Sequence, residues 1–230
     1  MIMNTMLKTV LMTGSLVLAV ALPGRAALIA AWDFPTLTAA PGTPATFTAT
    51  VGSGSLDASA FISSAVNPQR TMFGGTVLNA FAGGDAGTIA ALALANNSAN
   101  GKSIIFSLDM SLYQDLVLSF ALRGTSTGFN SHQWAYSSDG TSYTPFGANT
   151  ADNTANFVLK SVDFSSINIL DGDASVFIKL TVTGATTAAG NNRFDNIQFN
   201  AAPVPEASTW VAGLGLTLGM LGTFIRKHRK

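Results

Sequence analysis

The stretch HQWAYSSDGTSYTPF, residues 132–146, gathers the side chains best suited to holding a sugar. An aromatic ring offers a flat apolar face to sugar C–H groups, and polar neighbours can bond the hydroxyls. Asp139-Gly140 between two alternating runs predicts a hairpin with a two-residue type I′ turn, which needs positive φ at both central residues. That turn would set Ser138 opposite Thr141, Ser137 opposite Ser142 and Tyr136 opposite Tyr143, with Trp134 diagonal on the same side. Three rings then share one face with His132 beside them, and His132, Trp134, Tyr136 and Tyr143 are the candidate glycan contacts. The same rings equally suit the core of a sandwich, where aromatic side chains are commonly buried.

Carboxylates form the second group. Between Ala27 and Ala202 the chain has eleven Asp and no Glu. LDGDAS sets Asp171 and Asp173 two apart across a glycine, and GNNRFDN brings Asn191, Asn192, Asp195 and Asn196 together. If the first and last strands lie side by side, Asp33 of AAWDF approaches Asp195. Ca²⁺ takes ~6–8 oxygen ligands, so Asp33, Asp171, Asp173 and Asp195 are the candidate metal ligands. No EF-hand loop is present, and Asp-Gly turns bond their own backbone without any ion. Arg193 opposite an aspartate reads as a strand-end ion pair rather than a ligand clamp.

Catalysis finds little material. His132 is the only histidine of this region and reads as a strand-end surface residue, and no G-x-S-x-G elbow places a nucleophile. Glycoside hydrolysis needs two facing carboxylates, one with a raised pKa, and the missing glutamates argue against it. No catalytic residue is assigned, and no cofactor other than Ca²⁺ is considered.

These residues need a scaffold. Short runs with period-two alternation or β-branched and aromatic residues, separated by Gly, Asn, Asp, Ser and Thr clusters, predict strands at 27–34, 45–51, 71–80, 88–95, 102–109, 116–123, 132–138, 142–146, 156–164, 175–184 and 192–200. The Ala- and Leu-rich run after GGDAG is ambiguous by propensity, and its Gly and Asn flanks favour strand. Residues 36–54 read as loop-rich. The fold class is all-β, a jelly-roll-like β-sandwich over 27–202. The chain has no cysteine, so burial rather than disulfides must stabilise a domain of this size. Its eleven Asp outweigh three Lys and three Arg, which excludes the clustered basic surface that nucleic acid requires.

The two ends differ in kind. Residues 1–26 have Lys8, an apolar run from Val10 to Leu22 and small residues Gly24 and Ala26, as in a cleaved signal peptide. Residues 210–225 are uncharged and span about 24 Å as a helix at ~1.5 Å per residue, bounded by Trp210 and by the basic tail 226–230. This single transmembrane helix is short for the ~30 Å hydrocarbon core, and Gly213, Gly215, Gly219 and Gly222 weaken it further. It suits a transient membrane stay with the C-terminus in the cytoplasm.

Val204, Pro205, Glu206, Ala207, Ser208 and Thr209, followed by the apolar segment and RKHRK, resemble the PEP-CTERM sorting signal over 203–230. Ala207 stands where that family most often has a second proline. The resemblance implies export, a transient stay in the inner membrane, cleavage near Val204 to Ser208 by an exosortase, and release to the outer membrane surface or extracellular matrix. Signal peptidase and exosortase are then processing partners, and exopolysaccharide is a candidate contact. Less specifically, WDF, YSSDGTSY and RFDNIQF are similar to segments of jelly-roll, carbohydrate-binding-like domains. The expectation is a non-enzymatic matrix component, with a secreted carbohydrate-active enzyme or a calcium-stabilised adhesin as alternatives.

Overall fold

In the computed structural model, residues 25–35, 39–84, 90–150 and 153–205 are described; residues 1–24 of the expected signal peptide, residues 206–209 of the expected sorting motif, the apolar segment and the basic tail lie outside them. Among the described residues thirteen strands form two antiparallel sheets: β1 (Ala27–Trp32), β2 (Thr46–Thr48), β3 (Val51–Gly52), β4 (Gly54–Asp57), β5 (Arg70–Phe73), β6 (Ala91–Ala95), β7 (Ser103–Leu108), β8 (Tyr113–Gly124), β9 (Ser131–Ser137), β10 (Thr144–Thr150), β11 (Val158–Asp163), β12 (Val176–Thr183) and β13 (Asn191–Pro203). The first sheet runs β11-β8-β13-β1-β3, with β6 also on β13 and β5 on β6; the second runs β10-β9-β12-β7-β4-β2. The only helices among the described residues are two single 3₁₀ turns, Asn97–Ala99 and Asn168–Leu170. The all-β reading holds.

Alternation explains most strands. Val176, Ile178, Leu180 and Val182 of β12 are buried while Phe177, Lys179 and Thr181 are half-buried on the other side. The two sheets meet through rings: Phe106 of β7 lies 5.5 Å from Trp32 of β1 and 5.1 Å from Phe199 of β13, and Phe120 of β8 lies 5.7 Å from Trp134 of β9. Strand β6 is the exception. Every residue of ALALA is buried, so both faces are covered and no alternation survives in its sequence.

Three boundaries differ from expectation. The run at 71–80 forms a strand only over Arg70–Phe73, because Gly74-Gly75 releases the chain into a loop over β13. Within 36–54, β2 and β3 form, and β4 begins at Gly54 as a strand missed by composition. The hairpin between β9 and β10 pairs Tyr136 with Thr144, not with Tyr143. The Asp139 carboxylate accepts from Thr141 N, Ser142 N and Ser137 Oγ, at 2.8, 2.7 and 2.9 Å, which builds a wider loop than a type I′ turn. Only Gly140 of the central pair has positive φ, +71°, and a Cβ there would sit 3.2 Å from the Phe177 ring. The loop therefore folds back over β12.

Candidate functional site

The register change redistributes the four aromatic-face residues. His132 and Trp134 are buried, at 1% and 2% exposure, and Tyr136 packs against the core within 6.3 Å of Phe146. The expected exposed platform is therefore corrected: three of its residues face the other sheet. His132 is no surface residue either. Its ring lies 5.3 Å from Phe194, its Nε2 is 3.4 Å from Asn192 Nδ2, and burial, with Lys160 nearby, pushes its pKa down to about 4. At 1% exposure the ring lies out of reach of a molecule on the surface.

Tyr143 goes the other way. Lying in the loop rather than on the strand, it is half-buried on the outer face of the second sheet, where the Lys179 ammonium sits 3.8 Å from its ring centroid. Burial, and then the Asp139 charge, raise its pKa. Two residues along β12 from Lys179 is Phe177, the aromatic ring that the sequence reading passed over.

Register places Phe177 in a row across the sheet. Ser55 of β4 pairs with Ser107 of β7, Ser107 with Phe177, and Phe177 with Ser137 of β9. A second row holds Asp57, Ile105, Lys179 and Ala135, and a third Ser103, Thr181 and Gln133, with Ser103 Oγ 2.7 Å from Thr181 Oγ1. The face is a bed of hydroxyls, one amide and one amine around a half-buried ring. A concavity of about 440 Å³ opens at one end, lined by Thr48, Ser55, Ser107, Asp109, Ser175 and Phe177. Such a volume suits one or two sugar rings. Asp109 accepts from Ser111 N, and its pKa is lowered by that bond and the Ser111 hydroxyl, so it stands ionised at the rim.

The four candidate metal ligands separate into two places. Asp171 accepts from Asp115 N of β8, far away in sequence, while Asp173 accepts from Ser175 N in a local surface turn. Asp33 and Asp195 come together, as pairing of the first and last strands requires. β13 pairs along one edge with β6 up to Phe194 and then with β1 from Ile197, and between them the strand bulges with Asn196 at φ +46°. Asp33, directly after Trp32, arrives at that gap. Asn196 Nδ2 donates to Thr76 O and Leu78 O, and Asn79 Nδ2 donates to Asn196 O, so loop 74–84 closes over the gap.

Both carboxyls are buried, Asp33 at 1% and Asp195 at 0% exposure. Thr50 Oγ1 donates to Asp33 Oδ1 at 2.7 Å; Thr76 N and Asn196 N donate to Asp195 at 2.7 and 2.8 Å. Burial pushes the Asp195 pKa up to about 7 against those two bonds, and the Asp33 charge adds to the rise. The raised pKa keeps the Asp195 carboxyl protonated over more of the pH range than an ordinary aspartate. Among the described residues no group of three His, Cys, Asp or Glu forms. Two carboxylates alone would leave most of a Ca²⁺ shell to carbonyls, amides or water.

Arg193 departs from expectation as well. It opposes Arg123 of β8 rather than an aspartate.

No protein-family model matches the chain, and no curated protein matches its sequence. Several solved structures match part of the chain at low identity and with TM-scores below 0.5. One is a carbohydrate-binding module, TmCBM61, in complex with β-1,4-galactotriose, at TM-score 0.37 and 10% identity, covering 57% of this chain and 81% of that one. The xylan-binding module CBM15 has TM-score 0.36 and 10% identity over 50% of this chain and 79% of its own. An exo-β-agarase has TM-score 0.41 and 11% identity over 74% of this chain, which matches 25% of the enzyme's length.

Proposed function

We propose that this chain is exported, sorted by an exosortase-type protease, and displayed at the cell surface or in the extracellular matrix as a non-enzymatic, jelly-roll-type module that contacts exopolysaccharide. The observation that carries the contact is the outer face of the second sheet. Phe177 and Tyr143 lie there among Ser55, Ser107, Thr181, Gln133 and Lys179, beside the concavity at Ser175. A sugar ring stacked on Phe177 would place its hydroxyls over that row.

The absence of catalysis is proposed from what the candidate groups already do. His132 is buried and neutral, and Asp57, Asp109, Asp139, Asp163 and Asp173 each accept from a backbone N–H two residues ahead. Asp33 and Asp195 converge but are sealed from any substrate. That buried pair favours one addition, a structural Ca²⁺ bridging them, as in the calcium-stabilised reading.

Sorting has its own test. Intact-mass analysis of protein recovered from the surface or medium should show loss of residues 1–26 and of everything beyond the cleavage region at Val204 to Ser208. Recovery of material still ending in Lys230 contradicts the sorting proposal.

A further inference from the structure

We propose that Arg123 and Arg193 form an anion-binding site, suited to the carboxylate of an acidic sugar, on the first sheet, away from the face that carries Phe177. The two residues are direct cross-strand partners on β8 and β13. Like charges placed opposite each other destabilise a sheet. Among the described residues neither guanidinium is paired with a carboxylate that would offset the repulsion. Arg193 reaches only neutral acceptors at the long limit of hydrogen bonding, Asn191 Oδ1 at 3.4 Å and Gly74 O at 3.5 Å. In a domain with eleven aspartates this is a notable placement. The nearest one along the strand, Asp195, is committed to Thr76 N and Asn196 N.

The surroundings hold the arginines rather than neutralise them. Arg193 Cζ lies 4.6 Å from the Phe73 ring centroid and Arg123 Cζ 5.7 Å from that of Phe157. Both arginines are half-buried, and Arg193 has the buried Ala93 of β6 as its partner on the other edge of β13. Burial, and then the Arg123 charge, lower the pKa of Arg193, as expected for a cation short of a counter-charge. Two guanidinium forks side by side match the two oxygens of a planar carboxylate, and the flanking phenyl rings suit the apolar face of a sugar. A uronic acid residue offers both. The sugar class rests on the polysaccharide reading above; the anion site does not.

The test uses the full-length chain with Arg123→Gln, Arg193→Gln and Arg193→Lys, titrated with an oligogalacturonate and with neutral oligosaccharides, and melted in acetate or sulfate. Each glutamine variant should weaken oligogalacturonate binding about tenfold or more, with lysine intermediate. Without ligand their melting points should be equal to or above that of the parent, since repulsion is relieved. If simple anions raise the parent's melting point but not the variants', while no oligosaccharide binds, the anion site stands and the polysaccharide reading fails. The proposal is overturned if neither anions nor oligogalacturonate distinguish the parent from the variants, or if the variants melt several degrees lower without ligand, which marks the arginines as structural.

Discussion

Arg70→Met should lower the unfolding free energy by about 3–4 kcal/mol. Arg70 is a buried cation, 6% exposed, on β5 at the margin of the first sheet. Its Nη1 donates to Ala58 O at 2.6 Å and to Phe61 O, and its Nη2 to Thr43 O at 3.3 Å, all on segments flanking β2 and β4 of the second sheet. One guanidinium therefore ties the margins of both sheets. Burial lowers its pKa and nearby Asp57 partly restores it; Nε has no partner among the described residues. Methionine keeps the aliphatic packing but removes three charge-assisted hydrogen bonds, at ~1.5–3 kcal/mol each, while Ala58 O keeps its bond from Phe61 N and relief of the buried charge returns part of the loss. For a domain of this size the melting point should fall by roughly 10 °C, and Arg70→Lys should recover only part. A melting point within ~2 °C of the parent would show that the carbonyls find other donors.

The second expectation concerns pH. Asp195 is raised to about 7, so its contribution to stability is fully present below about pH 4 and is lost as pH rises through 7. His132 is lowered to about 4, so its contribution is lost as pH falls from about 6.5 to 4. Between about pH 4 and 6.5 the slopes oppose each other, each ~1.4 kcal/mol per pH unit, and stability should be nearly level. Asp195→Asn removes one slope. Its stability should climb steadily from pH 4 to 6.5, and at pH 8 it should exceed the parent by about 2–3 kcal/mol, after the loss of one carboxylate acceptor is subtracted. Urea unfolding across that range reads both. With Ca²⁺ bound between Asp33 and Asp195 the sign at pH 8 reverses: calcium raises the parent's melting point, chelator lowers it, and Asp195→Asn destabilises. A parent whose melting point ignores both calcium and chelator holds a proton there instead.

How far these features were legible in the sequence depended on how local their causes are. The approach of Asp33 to Asp195 follows from one pairing of the first and last strands and was readable. The hairpin was readable as a turn but not in register, because the Asp139 side chain, by accepting from Thr141 N and Ser142 N, adds residues to the loop. A shift of one partner was enough to take Tyr143 off the face shared by Trp134 and Tyr136. Phe177 did carry a signal. In VFIKLTV it is the lone aromatic on the polar side of an alternating strand, a place where burial alone gives no reason for a ring. The opposition of Arg123 and Arg193 had none, since cross-strand register between β8 and β13 is set by contacts far apart in the chain.

The most direct test is affinity electrophoresis of the full-length chain through gels containing neutral polysaccharides, comparing the parent with Phe177→Ala, Tyr143→Ala and Trp134→Phe. Retardation of the parent by at least one polymer should weaken about tenfold with Phe177→Ala, less with Tyr143→Ala, and remain unchanged with the core variant Trp134→Phe. A parent retarded by none of the polymers, or a Phe177→Ala protein retarded as strongly as the parent, would contradict a glycan contact on this face.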